Sequence, residues 1–168
     1  MAQLIKHGIA ATDSWHILEL AEGEAPETVT LPDGDVIFPL AVWQARKDEI
    51  VSRPTIGLLL QPADRVEDVA GELASFNLIA VNFPKFVDGR GYSTAALLRQ
   101  RYGYTGELRA VGDVLHDQLF FMRRVGFDSY ALKDGKSLDY AITAGFKPFT
   151  EAYQGATDQA QPYFRRRA

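Results

Sequence analysis

The sequence predicts an α/β fold: about four consecutive βα units forming a parallel sheet, half-barrel-like or open and three-layered, behind an irregular or β N-terminal segment. Three observations predict it. Short, largely apolar runs recur at residues 56–60, 78–81, 108–111 and 129–132, as expected of strands buried on both faces. Segments with helical spacing of apolar residues separate them. Gly103, Gly126 and Gly145 each close such a segment and precede an aromatic residue, Tyr104, Phe127 and Phe146, the pattern of a helix stop whose next residue folds back. Successive βα units imply right-handed crossovers between parallel neighbours. They also leave a sheet edge to be covered by the N-terminal segment or by a second subunit in a homo-oligomer.

Residues 1–150 read as a single domain, with residues 1–35 an irregular or hairpin-forming lead. Within the lead, residues 15–20 suit a strand, and Pro32-Asp33-Gly34 is a turn, through the fixed φ of proline and the tolerance of glycine for positive φ. Residues 36–38 form a short strand, and Leu40, Val42, Trp43, Ile50 and Val51 mark a helix after it. Beyond the strand at 56–60, Asp64 stands three residues before Glu67, a capping-box-like start for a helix over 65–75. After the strand at 78–81, Ser93 caps a helix reaching Tyr102, with Ala95, Leu98 and Tyr102 on one face. Asp113 caps the next, whose Leu115, Leu119 and Met122 form an apolar stripe. A last helix spans 138–144. Residues 151–168 lose periodicity and read as a polar C-terminal tail, loose or packed on a neighbour.

A chain of 168 residues can bury a proper core without staples. Its 46% hydrophobic and 24% charged residues are ordinary for a globular domain. It contains no cysteine, which excludes disulfides, thiolate-held clusters, cysteine nucleophiles and dithiol redox chemistry. Electron transfer would need an organic cofactor, a histidine-held metal or a partner protein. A net charge of -4 makes no electrostatic case for nucleic acid; Arg165, Arg166 and Arg167 form a short basic end. No window approaches the roughly 20 apolar residues of a membrane helix, and the N-terminal apolar core is too short for a secretory signal. The expected location is the cytoplasm.

The strongest site candidate is the Asp88-Gly89-Arg90-Gly91-Tyr92-Ser93 turn. Two glycines let a backbone approach a ligand, the following helix offers unpaired N–H groups, and Arg90 supplies a donor fork suited to a small anion, with Lys85 nearby. The alternative is a turn that Asp88 and Arg90 close on each other. Neither a P-loop nor a dinucleotide fingerprint is present. Asp113, His116 and Asp117 could place carboxylates and an imidazole together for proton transfer. A metal would need ligands from elsewhere, so no metal site is assigned. Gln118 is a further polar candidate, and Arg109, inside a strand, needs a buried partner or an edge. Candidate catalytic residues are therefore Asp88, Asp113 and His116; candidate ligand-binding residues are Lys85, Arg90, Tyr92, Ser93, Arg109, Asp117 and Gln118. Gln61, Asn82 and Lys133 follow strand ends and should share one rim with Arg90 and Asp113. The aromatics Tyr92, Tyr102, Tyr104, Phe120 and Phe121 read as core or interface residues.

Across residues 36–150 the order of motifs resembles a bacterial family, domain of unknown function 934. The resemblance is densest at Phe83, Phe86, Asp88-Gly89-Arg90, Tyr92-Ser93, Leu97-Leu98-Arg99, Gly103, Gly106-Glu107-Leu108-Arg109-Ala110, Gly112-Asp113, Asp117-Gln118 and Gly126-Phe127-Asp128. The family is described as an oxidoreductase or accessory protein of sulfite reduction, its members being encoded beside sulfite reductase haemoproteins. Members can carry a cysteine just before the Gly-Phe-Asp turn, a position held here by Val125. The resemblance implies an accessory protein of assimilatory sulfite reduction, partnered by the reductase haemoprotein and lacking a redox centre of its own. The alternative is a small enzyme or oxidoreductase that binds an anionic sulfur or phosphorylated metabolite, with a nucleotide or flavin cofactor left open. No cofactor is assigned.

Overall fold

The computed structural model describes residues 3–147 and 151–166. Strands β1 (Gln3–Lys6), β2 (Ile9–Thr12), β3 (His16–Ile17), β4 (Val36–Pro39), β5 (Gly57–Leu60), β6 (Leu78–Phe83), β7 (Glu107–Gly112) and β8 (Ser129–Tyr130) form one sheet, ordered β2-β1-β8-β7-β6-β5-β4-β3. Neighbours from β3 to β8 are parallel, whereas β1 runs antiparallel to β8 and β2 antiparallel to β1. The sheet is therefore mixed and not purely parallel. The β1–β2 pairing is local: His7 and Gly8 take φ of 50° and 82°, the two-residue primed turn whose twist suits a hairpin.

The helices α1 (Leu40–Ile50), α2 (Arg90–Ala96), α3 (Leu119–Val125) and α4 (Leu138–Ala144) bury their apolar residues on one face of the sheet. There Phe38, Leu58, Ile79, Val81, Leu108, Ala110 and Tyr130 meet Trp43, Leu98, Leu119, Met122 and Ala141. Each fully buried Phe, Leu, Ile, Val or Met among them contributes about 1.5–3 kcal/mol before entropy is counted. The other face carries Ile37, Leu59, Leu78, Ala80 and Val111, covered by Trp15 and Ala131 and, among the described residues, by no helix. That removes the three-layer alternative. Strands β4 to β8 are added in one direction only, so right-handed crossovers place every helix on the same side.

The sheet curls. β2 and β3 stand at opposite ends of the strand order, yet only Asp13, Ser14 and Trp15 join them, a reach of at most about 14 Å from Thr12 to His16. These residues lie on the concave face, where a Cβ on Gly57 would come within 3.0 Å of the Trp15 ring. One short N-terminal stretch thus supplies both outer edges of the parallel core, a half-barrel with its own linker laid across the inside.

Several local expectations are corrected. Residues 65–75 form two 3₁₀ turns, Val66–Val69 and Leu73–Ser75, in place of one helix. The Asp64 carboxylate accepts the Gln61 N–H at 2.7 Å and caps nothing, while Glu67 faces Arg65. Ser93 lies inside α2, because the helix starts at Arg90, whose N–H donates to Asp88 Oδ1. The end of that helix widens into a π turn at Leu97–Arg101. Asp113 does not cap α3, which begins at Leu119 behind a 3₁₀ turn, His116–Gln118. Gly103 and Gly126 take positive φ as predicted, but Gly145 is right-handed; there a Cβ would stand 2.6 Å from the His116 carbonyl oxygen.

The C-terminal segment folds back on its own domain. Thr157 N–H donates to the Arg124 carbonyl, Arg124 approaches Asp158, and α5 (Tyr163–Arg166) is tied to Glu151 through Arg166. Arg167 of the basic end lies outside the described residues. No helix among them is long and apolar enough to cross a membrane.

Candidate functional site

The carboxyl ends of β4 to β8 form a rim at which parallel α/β sheets characteristically place ligands. The chain is shaped for it: Gly112 takes φ of 94°, and a Cβ there would stand 2.5 Å from both Asn82 Oδ1 and the Phe83 carbonyl oxygen. Only glycine lets β6 and β7 end so close together. On this rim Asn82 Nδ2 donates to Gln61 Oε1 at 2.8 Å, and Lys133 Nζ lies 2.9 Å from Asp113 Oδ1. That ammonium is the partner of an oxygen with no aligned hydrogen bond of its own. The Lys133 ammonium beside it holds the Asp113 carboxyl below its ordinary range against a smaller burial penalty, with the Phe86 N–H and the Lys136 charge adding to it.

The loop after β6 is fixed from both sides. Asp113 Oδ2 accepts the Phe86 N–H at 3.3 Å, and Gln118 Nε2 donates to the Phe86 carbonyl at 3.2 Å. Gln118 also accepts the Leu115 N–H. Nevertheless the Phe86 and Val87 side chains are 54% and 71% exposed, and Lys85 beside them is exposed. The sequence reading passed over Phe86 as a site residue. Its signal was an aromatic and a valine standing in a loop otherwise built of proline, lysine, aspartate and glycine.

The Asp88 turn is closed on itself. Arg90 Nε and Nη2 donate to the two Asp88 oxygens at 2.9 and 2.7 Å, and this pairing lowers the Asp88 pKa and raises that of Arg90. Its two glycines differ. A Cβ on Gly89 meets nothing, whereas one on buried Gly91 would stand 2.6 Å from Phe83 Cζ. Close packing of α2 on β6 therefore demands Gly91, with no ligand required. Ser93 is exposed on α2. Tyr92 is half-buried, edge-on to Phe83 at 5.5 Å; burial, then the Asp117 charge, pushes its hydroxyl pKa up. Asp117 is exposed, and His116 sits edge-on to Tyr140 at 4.9 Å.

Arg109 is not on this rim. It is 3% exposed on the concave face, where Nη1 contacts both Asp13 oxygens and Nε and Nη2 contact Glu107 Oε1. Glu107 also accepts from Lys6 and Ser129. Burial acts to raise the Glu107 pKa, but those donors together with Arg109 outweigh it and leave the value lowered. The buried partner that this strand arginine required is an interlocked set of two cations and two carboxylates.

Below the rim lies a cavity of about 660 Å³, bounded by Ile17, Leu20, Pro39, Leu59 and Val111 with Glu19, Gln61, Asp64 and Asn82 at its polar border. No group of three or more His, Cys, Asp or Glu side chains poised to hold a metal occurs among the described residues.

A family model described as "Bacterial protein of unknown function (DUF934)" matches residues 57–164, well over half of the chain. The protein belongs to the DUF934 family. The DUF934 match begins at β5 and runs through the C-terminal segment, later at both ends than the resemblance over 36–150. The Phe86 loop, its two clamping side chains and the Asp88 turn all lie within the DUF934 segment, while the hairpin, β3 and the first wall of the cavity precede it. Among curated proteins none matches the chain.

Proposed function

We propose that this protein is an accessory component of assimilatory sulfite reduction that docks on the sulfite reductase haemoprotein and carries no redox centre of its own. The sulfur pathway enters through the family resemblance. The observation that carries the docking role is the Phe86 loop, whose backbone is held at both its N–H and its carbonyl while the ring stands in solvent. Aromatic anchors presented without further ordering cost are the kind of group that dominates protein interfaces. Val87 extends the apolar contact, and Lys85 has no ion pair among the described residues, so it remains available to an acidic partner surface. Arg90, Arg109 and Lys133 each already face a carboxylate of the same chain, which favours docking over capture of a small anion.

The test is sedimentation velocity of the protein with its cognate sulfite reductase, followed from the ultraviolet into the visible. A colourless protein that co-sediments, with affinity reduced about tenfold or more in Phe86→Ala as for an interface hot spot, is the expected result. No association, or association indifferent to Phe86, removes the docking role. A chromophore sedimenting with this protein alone removes the claim that it lacks a redox centre.

A further inference from the structure

We propose that the cavity beneath the rim is a binding site for a small organic cation with an apolar body, separate from the docking loop and independent of the proposed partner. Its size falls within the 300–1,000 Å³ typical of small-molecule sites. Its position, at the carboxyl ends of β4 to β7, is where a parallel sheet leaves space that side chains do not fill.

The ligand class follows from the lining. Ile17, Leu20, Pro39, Leu59 and Val111 supply apolar walls, suited to a flat or aliphatic body. The polar groups are two carboxylates, Glu19 and Asp64, and two carboxamides, Gln61 and Asn82; no lysine, arginine or histidine lines the cavity. Glu19 has no hydrogen bond or ion pair among the described residues. Asp64 uses Oδ2 for the Gln61 N–H, which leaves Oδ1 able to accept. The carboxamides spend one donor and one acceptor on each other. The site thus offers acceptors in excess and a negative potential, the complement of an ammonium, amidinium or amino-substituted ring. An anion entering it would meet two carboxylates, while the cations of the adjoining space, Arg109 and Lys133, already face carboxylates of their own; the site therefore favours a cation over an anion.

Three indoles of nearly equal shape test the assignment: tryptamine (cationic), tryptophol (neutral) and indole-3-propionate (anionic), titrated calorimetrically into the full chain. These small probes should bind weakly, with Kd of the order of 1 mM for tryptamine, about fivefold or more weaker for tryptophol and weakest for the propionate, as expected for losing one charge contact near a surface. Glu19→Gln combined with Asp64→Asn should bring tryptamine and tryptophol to equal affinity, and Ala41→Phe, which fills the cavity from an exposed position on α1, should abolish both. Thermal melts of each variant establish that it is folded. Equal binding of the three indoles by the unaltered chain, preference for the propionate, binding that survives Ala41→Phe in a folded protein, or no saturable tryptamine binding in the millimolar range overturns the proposal. None of these outcomes bears on reductase docking, which is read by sedimentation.

Discussion

Arg109 Nη1 stands 2.8 and 2.9 Å from the two oxygens of Asp13, across a sequence separation that spans most of the domain. The contact fastens the linker between the two sheet edges to the central strand β7. It also gives a second carboxylate to an arginine that is 3% exposed and already faces Glu107.

Asp13→Ala should therefore destabilise the protein by about 2–4 kcal/mol, since removing one partner of a buried ion pair weakens the compensation of the charge that remains. Glu107 stays in place and keeps the cost at the lower part of that range. Urea unfolding measures it. A change below about 0.5 kcal/mol, the size expected of a surface substitution, would show that the linker is not held through this contact.

Acid should weaken the fold partly through Glu107. Its folded-state pKa is lowered from the ordinary value of 4.5, so the unfolded chain binds that proton more tightly. The group's contribution is complete above that ordinary value and is lost as pH falls through the lower, folded one. Asp128 acts oppositely: burial raises its carboxyl above 3.8, so its contribution is present below that value and disappears as pH rises through the folded one. Glu107→Gln should flatten the acid limb of a stability profile recorded between about pH 6 and pH 3, and an unchanged slope would contradict the assignment.

The two glycines of the Asp88 turn should respond in opposite senses. Gly91→Ala forces a Cβ into the Phe83 ring and should cost about 1–3 kcal/mol, as overpacking does. Gly89 has φ of -79° and empty space around its missing Cβ, so Gly89→Ala should be neutral or stabilise by up to about 1 kcal/mol. Paired thermal melts decide it, and similar losses at both positions would mean that the turn itself needs glycine.

Asp113→Ala removes the acceptor of the Phe86 N–H and the partner of Lys133. Hydrogen exchange at the Phe86 amide should accelerate roughly tenfold, as for loss of one hydrogen bond, and reductase affinity should fall with it. The melting temperature should move little, because Asp113 lies outside the core. Unaltered exchange would place the order of the loop elsewhere, with Gln118 the next residue to change.

Much of the framework was legible in the chain. The largely apolar runs around Leu58, Ile79, Leu108 and Tyr130 read as buried strands because they are too short for helices and bounded by turn residues. Ser137 caps α4 with its own hydroxyl, accepting the Tyr140 N–H, a purely local signal. Where local signals competed, the reading went astray. Asp64 and Asp113 are both suited to helix caps, but Asp64 takes the nearby Gln61 N–H and Asp113 faces Lys133 from beyond the next strand, whereas the closure of Asp88 on Arg90 is one of the two readings the turn allowed.

The site was less legible than the strands. Gln61, Asn82, Asp113 and Lys133 do share a rim, as strand order requires. Arg109 has the buried partner that a strand arginine needs, because period-two alternation on β7 turns its side chain to the concave face, but that partner, Asp13, lies too far away in sequence for spacing to reveal. Phe86 and Glu19 were missed because exposure and an unoccupied carboxylate are properties of the folded surface.

By itself the sequence determined the βα repeat, the absence of thiol chemistry and the turn glycines, since these follow from residue chemistry and from interactions within a few positions. The tertiary structure decided the curl of the sheet, the antiparallel pairing of β1 with β8, the pairing of Arg109 with Asp13 and the cavity at the strand ends. Each of those depends on which distant groups meet, and short-range periodicity carries no record of that.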